Sequence, residues 1–445
     1  MASRRKHAHP GKSYSRLKSS AMLKKIILLS VMYALGVALV VPVSNAVAAE
    51  DAAAKQQAEK KKRKRTGSMT ERTYRKLATI HELIGESKHA EALKLLGPLS
   101  KRLSNDYERA IVFQTYGFVY ASQNKLSSAT DYLEKCIALD ALREDQTQRL
   151  VFNLAQLYIA QDRYKEGVRT LEDWFKTAEN PDAHAYALLA TAYAQGKEYK
   201  KAIPPLEKAI SLSDDPKEAW YKLLMAMYYE LKNYPKVADV LEVLTARWPE
   251  NEKYWKQLST IYIQLKRDKK ALATMELAYS RGYLKKEREI LQLANMHAYF
   301  SDPYEAAQVL EDSISAGYVE ANRKHFELLG NYWMYAQEND KAIEALSKAG
   351  QAADNGKIDL RVSYLLIEKE KWKQAEQSLH RALKKGGLRK PGKAWILLGM
   401  TAYETERYDA AKKYFSKAAG YEGSRDDANQ WISHIESEQA ILFDE

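Results

Sequence analysis

The sequence has little of what a cross-linked fold or an active site would need. One cysteine, Cys136, stands among 445 residues, so no disulfide can form within the chain and stability has to come from packing. We read that cysteine as a small buried hydrophobe. Glycine (19) and proline (11) are sparse. Several of the prolines separate apolar segments, as in Asn180-Pro181, Asp215-Pro216 and Trp248-Pro249. Alternating Val/Ile/Thr runs bounded by Asn-Gly turns are absent, which removes the usual sequence signal of a sheet. The nine histidines are scattered and form neither H-x-x-x-H nor H-E-x-x-H, so no metal site is expected. There is no G-x-S-x-G elbow, no G-x-G-x-x-G and no phosphate-cradling glycine loop. His325 and Glu327 near Asn331 come nearest to a catalytic cluster. Glu327 and Asn331 are i, i+4 neighbours on a helix, and a solvated or ligand-contacting polar pair accounts for them. The chain is therefore expected to be neither an enzyme nor a cofactor carrier.

What the sequence does have is a ten-fold internal repeat. A small residue recurs at Ala92, Ala129, Gly167, Ala202, Ala271, Ala307, Ala342, Ala375 and Ala411, with Val237 in the one gap, at intervals of 33 to 38 residues. The last unit is the clearest. Trp395, Leu398, Gly399 and Ala402 fall at i, i+3, i+4 and i+7, one face of a helix. After a turn at Glu406-Arg407-Tyr408, residues Ala411, Phe415 and Ala418 line one face of a second helix. Tyr186, Leu189, Ala190 and Tyr193 repeat the first-helix pattern, as do Trp255, Leu258, Ser259 and Tyr262, and Phe326, Leu329, Gly330 and Trp333. An aromatic opens many second helices: Tyr164, Tyr199, Tyr234, Tyr304, Trp372 and Tyr408. The first two units are weaker, and Lys76 stands where unit one should open on an aromatic.

This skeleton and its period resemble the tetratricopeptide repeat (TPR), a helix–turn–helix unit of about 34 residues. No single unit can bury its apolar face, so stacking supplies the core. The expected fold is all-α: a right-handed superhelical solenoid of about ten TPR-like units over residues 71–423. Ser424-Arg425-Asp426-Asp427 would start a capping helix over 424–445 that contains Trp431 and Ile435.

Charge and the N-terminus place the chain in the cell. Of the net charge of +12, residues 1–49 hold eight Lys/Arg and no acid, and residues 50–76 hold ten against four, which leaves −2 for residues 77–445. A near-neutral solenoid gives no footprint for nucleic acid. Lys24-Lys25, the apolar run from Ile26 to Val41 and the small residues Ala46-Val47-Ala48-Ala49 have the three parts of a secretory signal peptide over 1–49. Initiation at Met22 would give it a more ordinary basic start. The expected location is the periplasm; the alternative is an uncleaved inner-membrane anchor facing it. Residues 50–70 read as a basic flexible linker. Its cluster from Lys60 to Arg65 is either solvated or a peripheral contact with anionic headgroups.

The partner-binding surface should be the concave face, formed by first-helix positions that the core leaves unused. These are Arg149, Gln156, His184, Thr191, Lys222, Lys253, Lys256, Thr260, Gln292, Glu327 and Asn331. The carboxylate-gripping pattern of chaperone-binding TPRs wants Lys and Asn together on one helix. Here Lys256 is followed by Thr260, and Asn331 is preceded by Glu327.

As a whole, residues 22–445 resemble the periplasmic TPR proteins that accompany TonB–ExbB–ExbD energy-transducing systems. The resemblance rests on the order of signal peptide, basic linker and divergent repeats, and on particular stretches. These are Tyr107-Glu108-Arg109-Ala110 with Gln114-Thr115-Tyr116-Gly117, and Leu171-Glu172-Asp173-Trp174-Phe175. Two more are Trp248-Pro249 followed by Tyr254-Trp255-Lys256-Gln257-Leu258, and Asp302-Pro303-Tyr304-Glu305-Ala306-Ala307. It implies a protein-binding accessory role in TonB-dependent uptake of iron carriers, with TonB, ExbB or ExbD as partners, and it transfers no catalytic residue. The alternative is an envelope-assembly or cell-wall scaffold that binds outer-membrane or peptidoglycan machinery.

Overall fold

The structure, a computed structural model, describes residues 67–103 and 105–444. The expected signal peptide, most of the expected linker and the Lys60–Arg65 cluster lie outside the described residues. Two compact units make up the chain, one ending at Val240 and the other beginning at Leu241.

Among the described residues there are 21 α-helices and no strand. In the first unit, α1 (Glu71–Gly85) pairs with α2 (His89–Ser100), α3 (Asp106–Ser122) with α4 (Leu126–Ala138), and α5 (Glu144–Ala160) with α6 (Tyr164–Phe175). Then come α7 (Ala183–Gln195) with α8 (Tyr199–Leu212), and α9 (Glu218–Glu230) followed by α10 (Tyr234–Arg247), inside which the second unit begins. The second unit continues with α11 (Glu252–Gln264) and α12 (Asp268–Ser280), α13 (Glu287–Tyr299) and α14 (Pro303–Ser315), and α15 (Arg323–Tyr335) and α16 (Asn339–Gln351). It ends with α17 (Lys357–Glu368) and α18 (Trp372–Lys385), α19 (Pro391–Tyr403) and α20 (Tyr408–Ala419), and a last helix, α21 (Arg425–Asp444). Helices α1 to α20 are thus ten helix–turn–helix units of a solenoid, all α, as the repeat predicts.

One backbone device closes all ten hairpins. A single residue of each turn takes a positive φ: Ser87, Asn124, Asp162, Lys197, Lys232, Lys266, Ser301, Gln337, Glu370 and Glu406. The next residue's N–H then reaches back five residues, as Arg267 does to the Tyr262 carbonyl at 2.8 Å and Asp302 to the His297 carbonyl at 2.9 Å. That is the Schellman closure of a helix C-terminus, and it satisfies carbonyls that the helix end would orphan. It also fixes the register of every second helix. In nine units the small residue sits nine places after the accepting carbonyl, as the sequence implies. In the seventh unit that place is Ala306, one residue before the Ala307 read from the sequence. Asp302 caps α14 there, with Pro303 in the first turn. Both alanines are fully buried, so the doublet hides the shift.

Packing follows the same frame. Four residues after the small residue comes a buried Leu in most units, Met275 in α12 and Phe415 in α20. Three residues further on, Ala209, Ala278, Ala349, Ala382 and Ala418 are buried, and Cys136 occupies that place in α4. Burial pushes the Cys136 thiol up to about 12. Its Sγ lies 3.1 Å from the Ala110 carbonyl, which suits an inert core residue rather than a nucleophile.

Successive units are also tied by buried phenols. Tyr158 of α5 donates to Glu134 of α4, and Tyr193 of α7 to Glu172 of α6. Tyr228 of α9 donates to Glu207 of α8 at 2.6 Å, and Tyr262 of α11 to Glu242 of α10. Each tyrosine holds the same place in its first helix, and each glutamate falls five residues after its small residue. The row of glutamates continues with Glu276 and Glu311, but the facing places hold His297 and Trp333. His297 Nε2 stands 3.6 Å from Glu276, and the Trp333 indole N–H has no hydrogen-bond partner among the described residues.

These bonds predict an alkaline signature. Burial, and then the hydrogen bond to Glu134, push Tyr158 up to about 12. Tyr193 and Tyr228 are raised by the same causes in the same order. A phenol whose folded pKa exceeds its unfolded value of about 10 stabilises fully below that value, and the contribution is lost as pH rises from about 10 through about 12. Combining Tyr158→Phe, Tyr193→Phe and Tyr228→Phe should cost about 1–2 kcal/mol per site at neutral pH, since each bond is to a charged group. The difference from the parent should shrink between roughly pH 9 and pH 12 in urea unfolding followed by circular dichroism. A difference independent of pH would contradict the assignment.

Candidate functional site

In both units neighbouring first helices lie side by side, and in the second unit so do the second helices. Lys256 of α11 pairs with Glu289 of α13 at 3.3 Å, and Tyr332 of α15 donates to Asn295 of α13 at 2.8 Å. Arg361 of α17 donates to Asn331 of α15 and reaches Glu327 at 3.5 Å. On the other side, the Tyr279 hydroxyl of α12 lies 3.3 Å from Ser313 of α14. The first-helix side is the one on which the sequence places the partner surface.

In the first unit, Arg149 is exposed and pairs with Asp145 at 3.2 Å. His184 is exposed and meets Trp220 of α9 edge-on, with ring centroids 5.7 Å apart. Thr191 turns its hydroxyl to the Ala187 carbonyl at 2.7 Å, and Lys222 is exposed. Gln156 departs from the expectation. It is only 8% exposed, because residues Leu154 to Ile159 of α5 form a continuous buried run. A side chain placed there offers a partner little surface.

In the second unit, Lys253, Thr260 and Gln292 are exposed. Lys256 is engaged within the chain, 3.3 Å from Glu289 and 3.9 Å from Glu252. Glu327 and Asn331 both face Arg361, and Glu327 lies 3.5 Å from Arg323 as well. These two residues brace neighbouring repeats. His325, which the sequence sets beside them, is 3% exposed and its Nδ1 lies 2.8 Å from the Glu320 carbonyl, so the three do not form a catalytic cluster.

Sequence reasoning missed the most exposed aromatics of this face. Tyr299 ends α13 and Tyr335 ends α15 at the same place in the repeat, and they are 76% and 75% exposed. Arg288, Leu291, Gln292, Asn295, Met296 and Tyr299 line a shallow depression of about 570 Å³ along α13. The signal that could have found the two tyrosines is their position: 36 residues apart, just past the last core residue of each first helix.

Of a row of cations on these helices, the sequence pattern singles out Lys253 alone. Two residues before the opening place of each first helix stand Lys253, Arg288, Lys324, Lys357 and Lys393, on α11, α13, α15, α17 and α19 in turn. All five are exposed. The corresponding residues of the first unit are Tyr74, Ile111, Arg149, His184 and Ala219, which make no such row. Among the described residues, no group of three or more His, Cys, Asp or Glu is placed to hold a metal ion, and no helix is long and apolar enough to cross a membrane.

A tetratricopeptide-repeat family model matches residues 152–220 and 363–428. Similar solved structures include YrrB, a TPR protein with an unusual peptide-binding site, at 16% identity over 38% of this chain and 85% of that one, with a TM-score of 0.33. MamA is 16% identical over 40% of this chain and 96% of that one, with a TM-score of 0.30. A tetratricopeptide repeat protein from Parabacteroides merdae ATCC 43184 is 15% identical over 57% of this chain and 99% of that one, with a TM-score of 0.29. No curated protein sequence matches the chain.

Proposed function

We propose that this tetratricopeptide-repeat protein is a non-enzymatic scaffold that holds a protein partner on the open first-helix face of its second unit. Repeats of this family serve as protein-binding scaffolds. The observation that carries the location is the pair Tyr299 and Tyr335, large amphipathic side chains left three-quarters exposed at one place of the repeat. Tyrosine is enriched at interface hot spots because it offers much contact area for two rotatable angles.

The finer reading is an accessory role in a TonB-type energy-transducing complex in the periplasm. It is supported by the resemblance of residues 22–445 and by the signal-peptide pattern over 1–49, both properties of the sequence. The experiment is in-cell crosslinking of the tagged protein in iron-poor and iron-rich growth, with partners identified by mass spectrometry. Recovery of TonB, ExbB or ExbD, enriched in iron-poor cells, is the expected result. Recovery of outer-membrane assembly or cell-wall proteins, indifferent to iron, would overturn the TonB reading and favour an envelope scaffold.

The face itself has its own prediction. Combining Tyr299→Ala with Tyr335→Ala should lower recovery of the partner by roughly tenfold or more, as loss of exposed hot-spot aromatics does. The helical circular-dichroism signal should not change, because neither side chain is in the core. Full recovery would show that the partner binds elsewhere.

A further inference from the structure

The row of phenol–glutamate bonds breaks at α13, and the break leaves a cavity. Tyr228 and Tyr262 reach Glu207 and Glu242 across successive units. At the same place α13 carries His297, whose ring is shorter than a phenol and ends 3.6 Å from Glu276 of α12, beyond hydrogen-bonding distance. His297 is 4% exposed, and its Nδ1 makes no hydrogen bond among the described residues, although Asp302 Oδ2 lies 3.4 Å away. A neutral imidazole with its N–H towards Glu276 presents Nδ1 as an acceptor, and a buried acceptor left without a donor costs free energy. The ring lines a cavity of about 400 Å³ between the second helices α12 and α14. Four carboxylates line it too: Glu276, Asp302, Glu305 and Asp312. None of the four pairs with a lysine or arginine among the described residues, and neither residue type lines the cavity. The sequence of α14 shows why. Among the ten second helices, it alone has no lysine and no arginine. Elsewhere the acids of second helices are balanced, as Lys270 balances Glu242 at 3.2 Å and Lys348 balances Glu344 at 2.7 Å.

We propose that this cavity binds an aliphatic diamine or polyamine. Uncompensated carboxylates around one space repel one another, and a cation relieves that repulsion. No three of these groups are placed to hold one metal ion, so the negative charge is spread too widely for a cation of a single atom. Leu293 and Val309 supply apolar wall between the charges. Ammonium groups joined by methylenes match both features. One ammonium donates to Asp302 and to the open His297 Nδ1, and a second meets Glu305 and Asp312. The lysine side chain of a protein partner would bring a single ammonium and leave most of the carboxylates unneutralised. The cavity opens on the second-helix side, so it is a site distinct from the face that carries Tyr299 and Tyr335.

The test is isothermal titration calorimetry on the full-length protein at constant ionic strength. The probes are the triamine spermidine, 1,4-diaminobutane, the monoamine butylamine, magnesium chloride and a short peptide with a single lysine between glycines. Spermidine should bind tightest, roughly tenfold tighter than butylamine, because each added ammonium meets another carboxylate. Glu305→Gln combined with Asp312→Asn should weaken spermidine by roughly tenfold, since each exposed pair contributes little by itself. Circular dichroism should not change, because both side chains are exposed. His297→Tyr places in α13 the residue that α5, α7, α9 and α11 carry at this position. The phenol should donate to Glu276, fill the cavity and abolish spermidine binding while the midpoint of thermal unfolding holds or rises. Equal affinity for butylamine and spermidine would overturn the proposal. So would tighter binding of magnesium or of the lysine peptide, indifference to the Glu305 and Asp312 substitutions, or unchanged spermidine binding by the His297→Tyr protein. Partner recovery through Tyr299 and Tyr335 is independent of all these outcomes, so the scaffold reading and this site can fail separately.

Discussion

Asp359→Ala should destabilise the second unit by about 2–3 kcal/mol, because a buried carboxylate loses its hydrogen bonds to two partly exposed cations. The carboxylate is 1% exposed. Arg381 Nε lies 3.0 Å from one of its oxygens and Lys385 Nζ 2.8 Å from the other. Lys385 also donates to the Gly350 carbonyl, and Ser378 donates to the Asp359 carbonyl at 2.8 Å. One residue of α17 thereby ties the C-terminal end of α16 to α18. Truncation would remove the carboxylate that both cations face and leave Lys385 with the Gly350 carbonyl and Arg381 with Ser378. Replacing the whole set, Asp359→Leu with Arg381→Met and Lys385→Met, should recover at least half of the loss, because apolar groups of similar size need no partners. The readout is hydrogen exchange over residues 357–385 together with denaturant unfolding, since solenoids open locally. A triple variant no more stable than Asp359→Ala would mean that the site depends on shape rather than on charge pairing.

Phe415→Ala should cost about 3–5 kcal/mol. The ring is fully buried, stacks on Trp431 of α21 at 5.5 Å and 4°, and lies against Gly399 of α19. A methyl group at Gly399 would sit 2.5 Å from the Phe415 Cζ. Gly399→Ala should therefore destabilise by about 1–3 kcal/mol through overpacking, against a gain of about 1 kcal/mol in helix propensity. Gly399→Ala with Phe415→Leu should be milder than either single change predicts. That pair already stands at the same two repeat places as Ala155 and Leu171, Ala190 and Leu206, and Ala294 and Leu310, all of them buried. A double-mutant cycle by thermal unfolding measures the coupling, and strict additivity would refute the proposed contact.

The architecture was legible because the repeat writes its core at fixed intervals. Small residue, Leu four places on and Ala three further are short-range signals, and ten copies average out the degenerate ones. The register slipped by one residue only where Ala306-Ala307 offers two equivalent candidates. Asp359 was not legible for a different reason. It stands at the place that other first helices fill with Tyr186, Trp255 or Trp395, and its partners come from the next helix. The phenol–glutamate bonds pair residues 20 to 24 apart across successive units, which no local pattern reports. On the first-helix face, periodicity located the surface but not its chemistry. Lys256, Glu327 and Asn331 looked free and are engaged with neighbouring repeats, and Gln156 is buried. Only the complete frame brings the five cations and the two tyrosines into rows.

The most direct test of the account is site-specific photo-crosslinking in cells. A photoreactive phenylalanine would be placed at Tyr299, at Tyr335 and, as a control, at Lys413, an exposed position on the second helix α20. The account predicts one defined partner band from Tyr299 and Tyr335 and none from Lys413. The same band from all three, or none from the two tyrosines while the control captures the partner, would contradict a binding face on the first helices.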